Sequence, residues 1–311
     1  MYRVSIILLL IISFVRVTGQ TLFVDPVNGQ KHARGIIDDP ISDLADAVAR
    51  ASDFSGDEPI TIKLAPGLYL LSDQLVLAPL KKLPDTIHYT IEAMTNPNAP
   101  EWTPVKMPVI QSVSANNKNW GNFDHCAGIQ VQRNNVCLRG IKFVGNTNPG
   151  VVYYYPVERH FQELSGLMIS QCLFVGNRSS APIQGAVFAQ GKNIKIEHTV
   201  FYQCKNAVLC FMNVSGFALT YSIIYGSYEA AIMFGKYSDF VFSNNVIANN
   251  NCFWVSIKDY TSHYVFSNSV ITDNKVFMGL NGDTIEVDKR TMPVMHHVQR
   301  FGKVELNGAC K

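Results

Sequence analysis

The strongest constraint on this chain is a repeat. Six segments close in the same way, at Asn146, Asn177, Cys204, Ser227, Asn250 and Asn274, at intervals of 31, 27, 23, 23 and 24 residues. A period settling near 23 belongs to a solenoid, in which each repeat buries its apolar face only by stacking on its neighbours. Aligning the end points produces columns. Val136, Leu167, Ile194, Phe217, Phe240 and Tyr264 stand ten residues before the ends, and Leu138, Ile169, Ile196, Leu219, Phe242 and Phe266 eight before. Apolar columns two residues apart describe a strand with one buried face. A second short strand follows a tight corner, with Phe143, Phe174, Phe201, Ile224, Ile247 and Ile271 three residues before the ends. Between the two strands runs a column of Ile141, Cys172, Thr199, Ser222, Asn245 and Ser269.

A third strand precedes these two at residues 128–131, 186–189, 207–210, 231–234 and 254–257. Three short strands per turn with polar corners predict an all-β parallel β-helix, each strand pairing with its equivalent one coil away. Asn146, Asn177, Asn250 and Asn274 are expected to form a side-chain amide ladder along one corner. Nearer the N-terminus, Ile60–Leu64 alternates as a strand. Asp39 reads as an N-cap followed by Pro40, and Ile41, Leu44, Ala45 and Val48 recur at helical spacing, so a short capping helix is expected over the open end of the core.

The first nineteen residues read as a signal peptide: Arg3 precedes an apolar run over residues 4–12, and Val17 and Gly19 supply the small residues a signal peptidase selects. The expected division is 1–19 signal, 20–275 β-helix with its cap, and 276–311 a tail. A secreted, periplasmic or cell-surface location follows as an expectation. No later run approaches the roughly 20 apolar residues of a membrane helix, so no span is expected after cleavage. A net charge of +2 with scattered basic residues leaves no electrostatic footprint for nucleic acid. The seven cysteines form neither a CxxC pair nor a zinc spacing, and most fall at small core positions.

The order Phe23-Val24-Asp25, a capping helix, residues 64–69 (Leu-Ala-Pro-Gly-Leu-Tyr), Thr90-Ile-Glu-Ala93, Pro108-Val-Ile110 and then repeated Phe-x-x-Asn coils resembles a known family. It is similar to bacterial secreted right-handed parallel β-helix proteins of the pectate-lyase-like superfamily. The resemblance implies a polysaccharide or oligosaccharide partner lying on the outside of the first strand stack. It also implies, for a lyase, a Lys or Arg base with either Ca²⁺ or a basic side chain to neutralise the substrate carboxylate. No cofactor is identified: Ca²⁺ is compatible with the resemblance, but no Asp and Glu cluster on neighbouring coils marks a site. The paired-Asp and Gly-His-Gly motifs of polygalacturonases are missing as well.

Two regions supply candidate residues. Residues 147–165 read as an insertion projecting from the scaffold, with Tyr153, Tyr154 and Tyr155 as sugar-stacking rings, Arg159 and His160 as catalytic candidates, and Glu158 beside them. The plain alternative is a loop that buries its tyrosines over the coil. On the first strand stack the expected outward residues are Gln130, Gln132, Phe188, Gln190, Leu209, Phe211, Met233, Ser256 and Lys258. Of these, Lys258 is a candidate base, while Gln130 and Gln190, with Lys236 and Asp259 at the edge, are candidate substrate contacts; the alternative for both lysines is a solvated sheet edge. His198 is expected to pair with Glu197 at the surface. His296 and His297 lack a third metal ligand.

One further column, Leu173, Val200, Ile223, Val246 and Val270, alternates with buried positions and should face outward. An apolar stripe of that length calls for a cover, either the tail or a second copy in a homo-oligomer. Two functions stay open: a polysaccharide lyase acting on an acidic glycan by β-elimination, with glycoside hydrolysis the less favoured chemistry, or a non-catalytic carbohydrate-binding or cell-surface protein.

Overall fold

The computed structural model describes residues 20–55, 57–79, 84, 86–116, 123–235, 240–256, 265–280 and 294–300. They wind into a parallel β-helix in which each coil adds one strand to each of three sheets. One coil consists of Tyr154–Arg159 in sheet one, Ser165–Ser170 in sheet two and Leu173–Val175 in sheet three. The next repeats it with Gly185–Ala189, Gly191–Glu197 and Val200–Tyr202. Among the described residues, sheets one and three hold eight strands each and sheet two holds eleven.

The columns of the sequence are the register of the sheets. Leu167 pairs with Val136 on one side and Ile194 on the other, and Ile169 with Leu138 and Ile196. A slip of one residue would turn every one of these side chains to water, which is why the register is so strongly specified. Inside sheet three, Phe143, Phe174 and Phe201 stack with centroids 4.8 and 5.0 Å apart and planes within 9°. Cys126, Cys172, Cys204 and Cys210 are buried with free thiols. Burial pushes the thiols of Cys172, Cys204 and Cys210 up to about 12, so they serve as small core residues and not as nucleophiles.

The corner between sheets two and three requires a left-handed residue. Gly140, Gln171, His198, Tyr221, Asn244 and Asn268 occupy it with φ from 46 to 69°. The next residue points inward, and this explains the polar column. The Cys172 N–H donates to Thr199 Oγ1, that of Thr199 to Ser222 Oγ, that of Ser222 to Asn245 Oδ1, and that of Asn245 to Ser269 Oγ. The asparagine ladder forms in part. Asn250 donates to Asn274 Oδ1 at 2.8 Å and accepts from the Ser227 N–H at 2.8 Å. Asn146 reaches back to Ser112 and Ser114, whereas Asn177 pairs with Ala181 across a tight turn and leaves the ladder.

At the N-terminal end, helix α1 spans Leu44–Ala51. Its N-cap is Asp43, whose carboxylate accepts from the Ala45 and Asp46 N–H groups. The expected cap, Asp39, instead holds Arg34 at 2.9 Å, and Ile41 bridges to Val24 and Gln30. Leu44, Ala47 and Ala51 are buried against the first coil. At the other end the solenoid continues beyond the expected boundary at residue 275. Val276–Leu280 is a strand of sheet one, with Met278 in register with Trp254, and Val294–His296 pairs with Val265–Ser267 in sheet two. No helix among the described residues is long and apolar enough to cross a membrane.

Candidate functional site

Sheet one is almost devoid of charge. Among the described residues of its eight strands, Glu158 is the only acidic one and Arg159 the only basic one. Adjacent in a strand, they point to opposite sides. Arg159 is in register with Ala189 of the inward column, and Glu158 with Gln130 and Phe188 of the outward one.

This placement corrects the reading of residues 147–165 as a projecting loop. Residues 154–159 are the first strand of their coil, paired in parallel on both sides. Tyr154 points inward and is fully buried beside Cys126. Arg159 lies in the core, where Nε donates to the Gln190 carbonyl at 2.7 Å and an Nη to the Lys192 carbonyl at 3.0 Å. Burial lowers its pKa to about 10, so it stays cationic at neutral pH, but two of its three guanidinium nitrogens are held by the corner of the next coil and the third is buried. It cannot act on a glycan outside the helix. Tyr155 faces outward, and Tyr153 is partly buried against it.

Around Glu158 the outward face carries a buried carboxylate–imidazole pair. Glu158 Oε1 lies 3.0 Å from His125 Nε2, and His125 Nδ1 lies 3.2 Å from the Phe123 carbonyl. Both imidazole nitrogens therefore face acceptors, and only the doubly protonated ring satisfies both. Burial works against that charge, yet the hydrogen bond and the negative charge of Glu158 outweigh it and the His125 pKa is raised. His160 Nδ1 stands 3.9 Å from the same carboxylate oxygen. Glu158 Oε2 is buried with no hydrogen-bond partner among the described residues, and so is Gln130 Nε2, although Gln130 Oε1 accepts from Gln132 at 2.9 Å. Rings enclose the centre: Phe123 with Tyr153 at 5.3 Å, His125 with Tyr155 at 5.6 Å, and Tyr155 with Phe188 at 4.9 Å.

Of the residues expected from sequence, the structure gathers Gln130, Tyr155 and His160 around Glu158, with Gln190 two residues beyond Phe188 on the same face. Lys236, Lys258 and Asp259 lie outside the described residues. The outward column continues through Leu209 and Met233 to Val255, one residue earlier than the expected Ser256, and turns apolar there. His198 is not paired with Glu197; its ring stacks on Tyr221 at 5.0 Å, while Glu197 accepts from Ser170. Sequence reading missed His125 and the role of Glu158. The signal available was a gap: six coils had only five first strands, and only the supposed insertion could supply the sixth. His125, just before its strand, lies off every periodic column.

Chemically, the pair offers one carboxyl group with one oxygen on the His125 imidazole and the other without a hydrogen-bond partner among the described residues. Among the described residues no group of three His, Cys, Asp or Glu is arranged as metal ligands.

The family described as "Right handed beta helix region" matches residues 127–292. No curated protein matches the chain. Among solved structures, a GH136 lacto-N-biosidase from Eubacterium ramulus aligns with a TM-score of 0.48 and 8% identity, over 91% of this chain and 67% of that one. XylC in complex with xylose aligns at 0.46 and 10% identity, over 84% and 66%, and a rhamnogalacturonan lyase at 0.39 and 9%, over 82% and 74%. The chain thus spans about two thirds of the length of the first of these structures.

Proposed function

Because this chain belongs to the right-handed β-helix family, we propose that it is an exported carbohydrate-active protein whose glycan lies across the outward face of sheet one, over Glu158. One observation carries the reading: an outward carboxyl group, held through one oxygen by the His125 imidazole and without a partner on the other among the described residues. Such a group suits proton abstraction. Glycoside hydrolysis ordinarily uses two carboxyl groups about 5–9.5 Å apart; on the described strands of sheet one Glu158 is the only carboxylate, and the second one near the centre, Asp124, precedes the strand beside His125. A β-elimination needs one base. Glu158 Oε2 takes the proton α to a uronic acid carboxylate, the electron pair forms the ring double bond, the glycosidic C–O bond breaks, and the departing oxygen takes a proton relayed through the His160 side chain, which stands beside the same carboxylate.

The test is release of unsaturated product, read by its ultraviolet absorbance, from a panel of uronic-acid glycans. Glu158→Gln should lower the rate by about two orders of magnitude or more, while Lys195→Ala on sheet two leaves it unchanged. A second reading, glycan binding without turnover, is favoured by one fact: Glu158 and His125 are shielded from water, with side chains 0% and 3% exposed. Glycan-array binding that survives Glu158→Gln, with no unsaturated product from any substrate, would establish that reading instead. Export is tested by sequencing the N-terminus of the protein recovered outside the cell, expected at Gln20.

A further inference from the structure

Far from Glu158, on the outer side of sheet three, the apolar column of the sequence forms the floor of a cavity. We propose that this cavity, of about 350 Å³, binds a phenol-class compound, a flat aromatic ring carrying a hydroxyl at one edge. Leu173, Val200 and Ile223, on three successive coils, make the floor. Trp102, Pro104 and Met107 make the roof. The roof is a built ledge: the Ala99 N–H donates to Asn96, Trp102 N–H to Ala99, Lys106 N–H to Thr103, and Lys106 Nζ to the Glu101 carbonyl at 2.6 Å.

Apart from the indole N–H of Trp102 in the roof, the polar side chains of the lining stand at one edge. Gln171 Nε2 donates to Asn98 Oδ1 at 2.7 Å, which leaves the Asn98 amide N–H and the Gln171 amide oxygen without partners among the described residues. His198, steadied by its stack on Tyr221, completes that edge. The Trp102 indole N–H is withdrawn from water and unmatched among the described residues.

This distribution selects the ligand. A pyranose carries hydroxyls around its whole ring, and most would be stranded between apolar floor and roof at a cost of about 1–3 kcal/mol each. A peptide segment would strand its backbone groups in the same way. An aromatic ring buries both faces between the aliphatic floor and the Trp102, Pro104 and Met107 roof and turns its one hydroxyl to the amide edge, where donor and acceptor are both on offer. The volume lies at the small end of ligand sites, about 300–1,000 Å³, and fits one or two fused rings.

The experiment is titration of the full-length protein with 2-naphthol, followed by calorimetry, with cellobiose as the sugar control. Saturable one-to-one binding of 2-naphthol and none of cellobiose is the expected result. Ile223→Trp, which fills the floor from the outer face, should weaken binding at least tenfold, with an unchanged circular dichroism spectrum. Glu158→Gln should bind as the wild type does, so this outcome is independent of the fate of the glycan site. No saturable binding, equal binding in Ile223→Trp, or preference for cellobiose would overturn the proposal. So would light scattering that finds a dimer dissociated by Ile223→Trp, since the cavity would then be an interface between copies.

Discussion

A carboxylate on one nitrogen of His125 and a carbonyl on the other favour its charged form. Its raised pKa ties stability to pH with a definite sign. A histidine whose folded pKa lies above the unfolded value of about 6.5 contributes stability that is fully present below that value and is lost as pH rises through the folded pKa. The wild-type Tm should therefore fall relative to that of Glu158→Gln between pH 6 and pH 9; parallel pH profiles would show that the pair is not coupled. Arg159 makes the complementary point from inside the core. Arg159→Met should lower the unfolding free energy by about 1–3 kcal/mol in urea titration, because the Gln190 and Lys192 carbonyls lose charged donors, with any relief from removing a buried charge acting against this. At this scale the sequence was least legible. Tyr154, Glu158 and Arg159 lie in one short run, and only the register with Cys126, Gln130 and Ala189 tells which of them face in.

Strands were legible wherever two apolar columns ran in parallel, because a period of two has only one way to bury both. The ring stack at Phe143, Phe174 and Phe201 is the densest product of those columns. Phe174→Ala removes the middle ring and should cost about 3–5 kcal/mol, read as a lower urea midpoint. Corners were less legible, since what they demand is a backbone angle that Gly, Asn, His and even Tyr221 all satisfy here. Two glycines separate angle from space. Gly226, with φ 74°, has room for a methyl group, so Gly226→Ala should cost only the left-handed strain of about 1–2 kcal/mol. At Gly191, with φ 98°, a Cβ would come within 2.4 Å of the Leu164 carbonyl oxygen. Gly191→Ala must therefore cost clearly more by the same assay; equal losses would mean that the 161–164 turn yields freely. The cap of α1 was misplaced by four residues for a related reason. Asp39 and Asp43 both look like N-caps, and what decides between them is that Ile41 is drawn into bridges with Val24 and Gln30.

A parallel β-helix has no centre, only neighbours, and this governs how damage travels through it. The repeat period disclosed that architecture, but the ends of a solenoid are where the period fails. The expected boundary at residue 275 reflected fading columns, while strand pairing persists through Val276–Leu280 and Val294–His296. At the opposite end α1 closes the core with Leu44, Ala47 and Ala51. Ala47 is fully buried, so Ala47→Arg forces a charge into the cap and should lift the helix off the first coil. Nearest-neighbour coupling then predicts a graded loss of protection in hydrogen exchange. Gln20–Val24 and Ile60–Leu64 should exchange markedly faster, Tyr89–Ala93 less so, and Ala230–Phe234, several coils away, at the wild-type rate. A uniform loss along the chain would mean that the coils unfold as one cooperative unit. In that case the cap would control the stability of the distant Glu158 coil as well, and glycan activity would fall together with it.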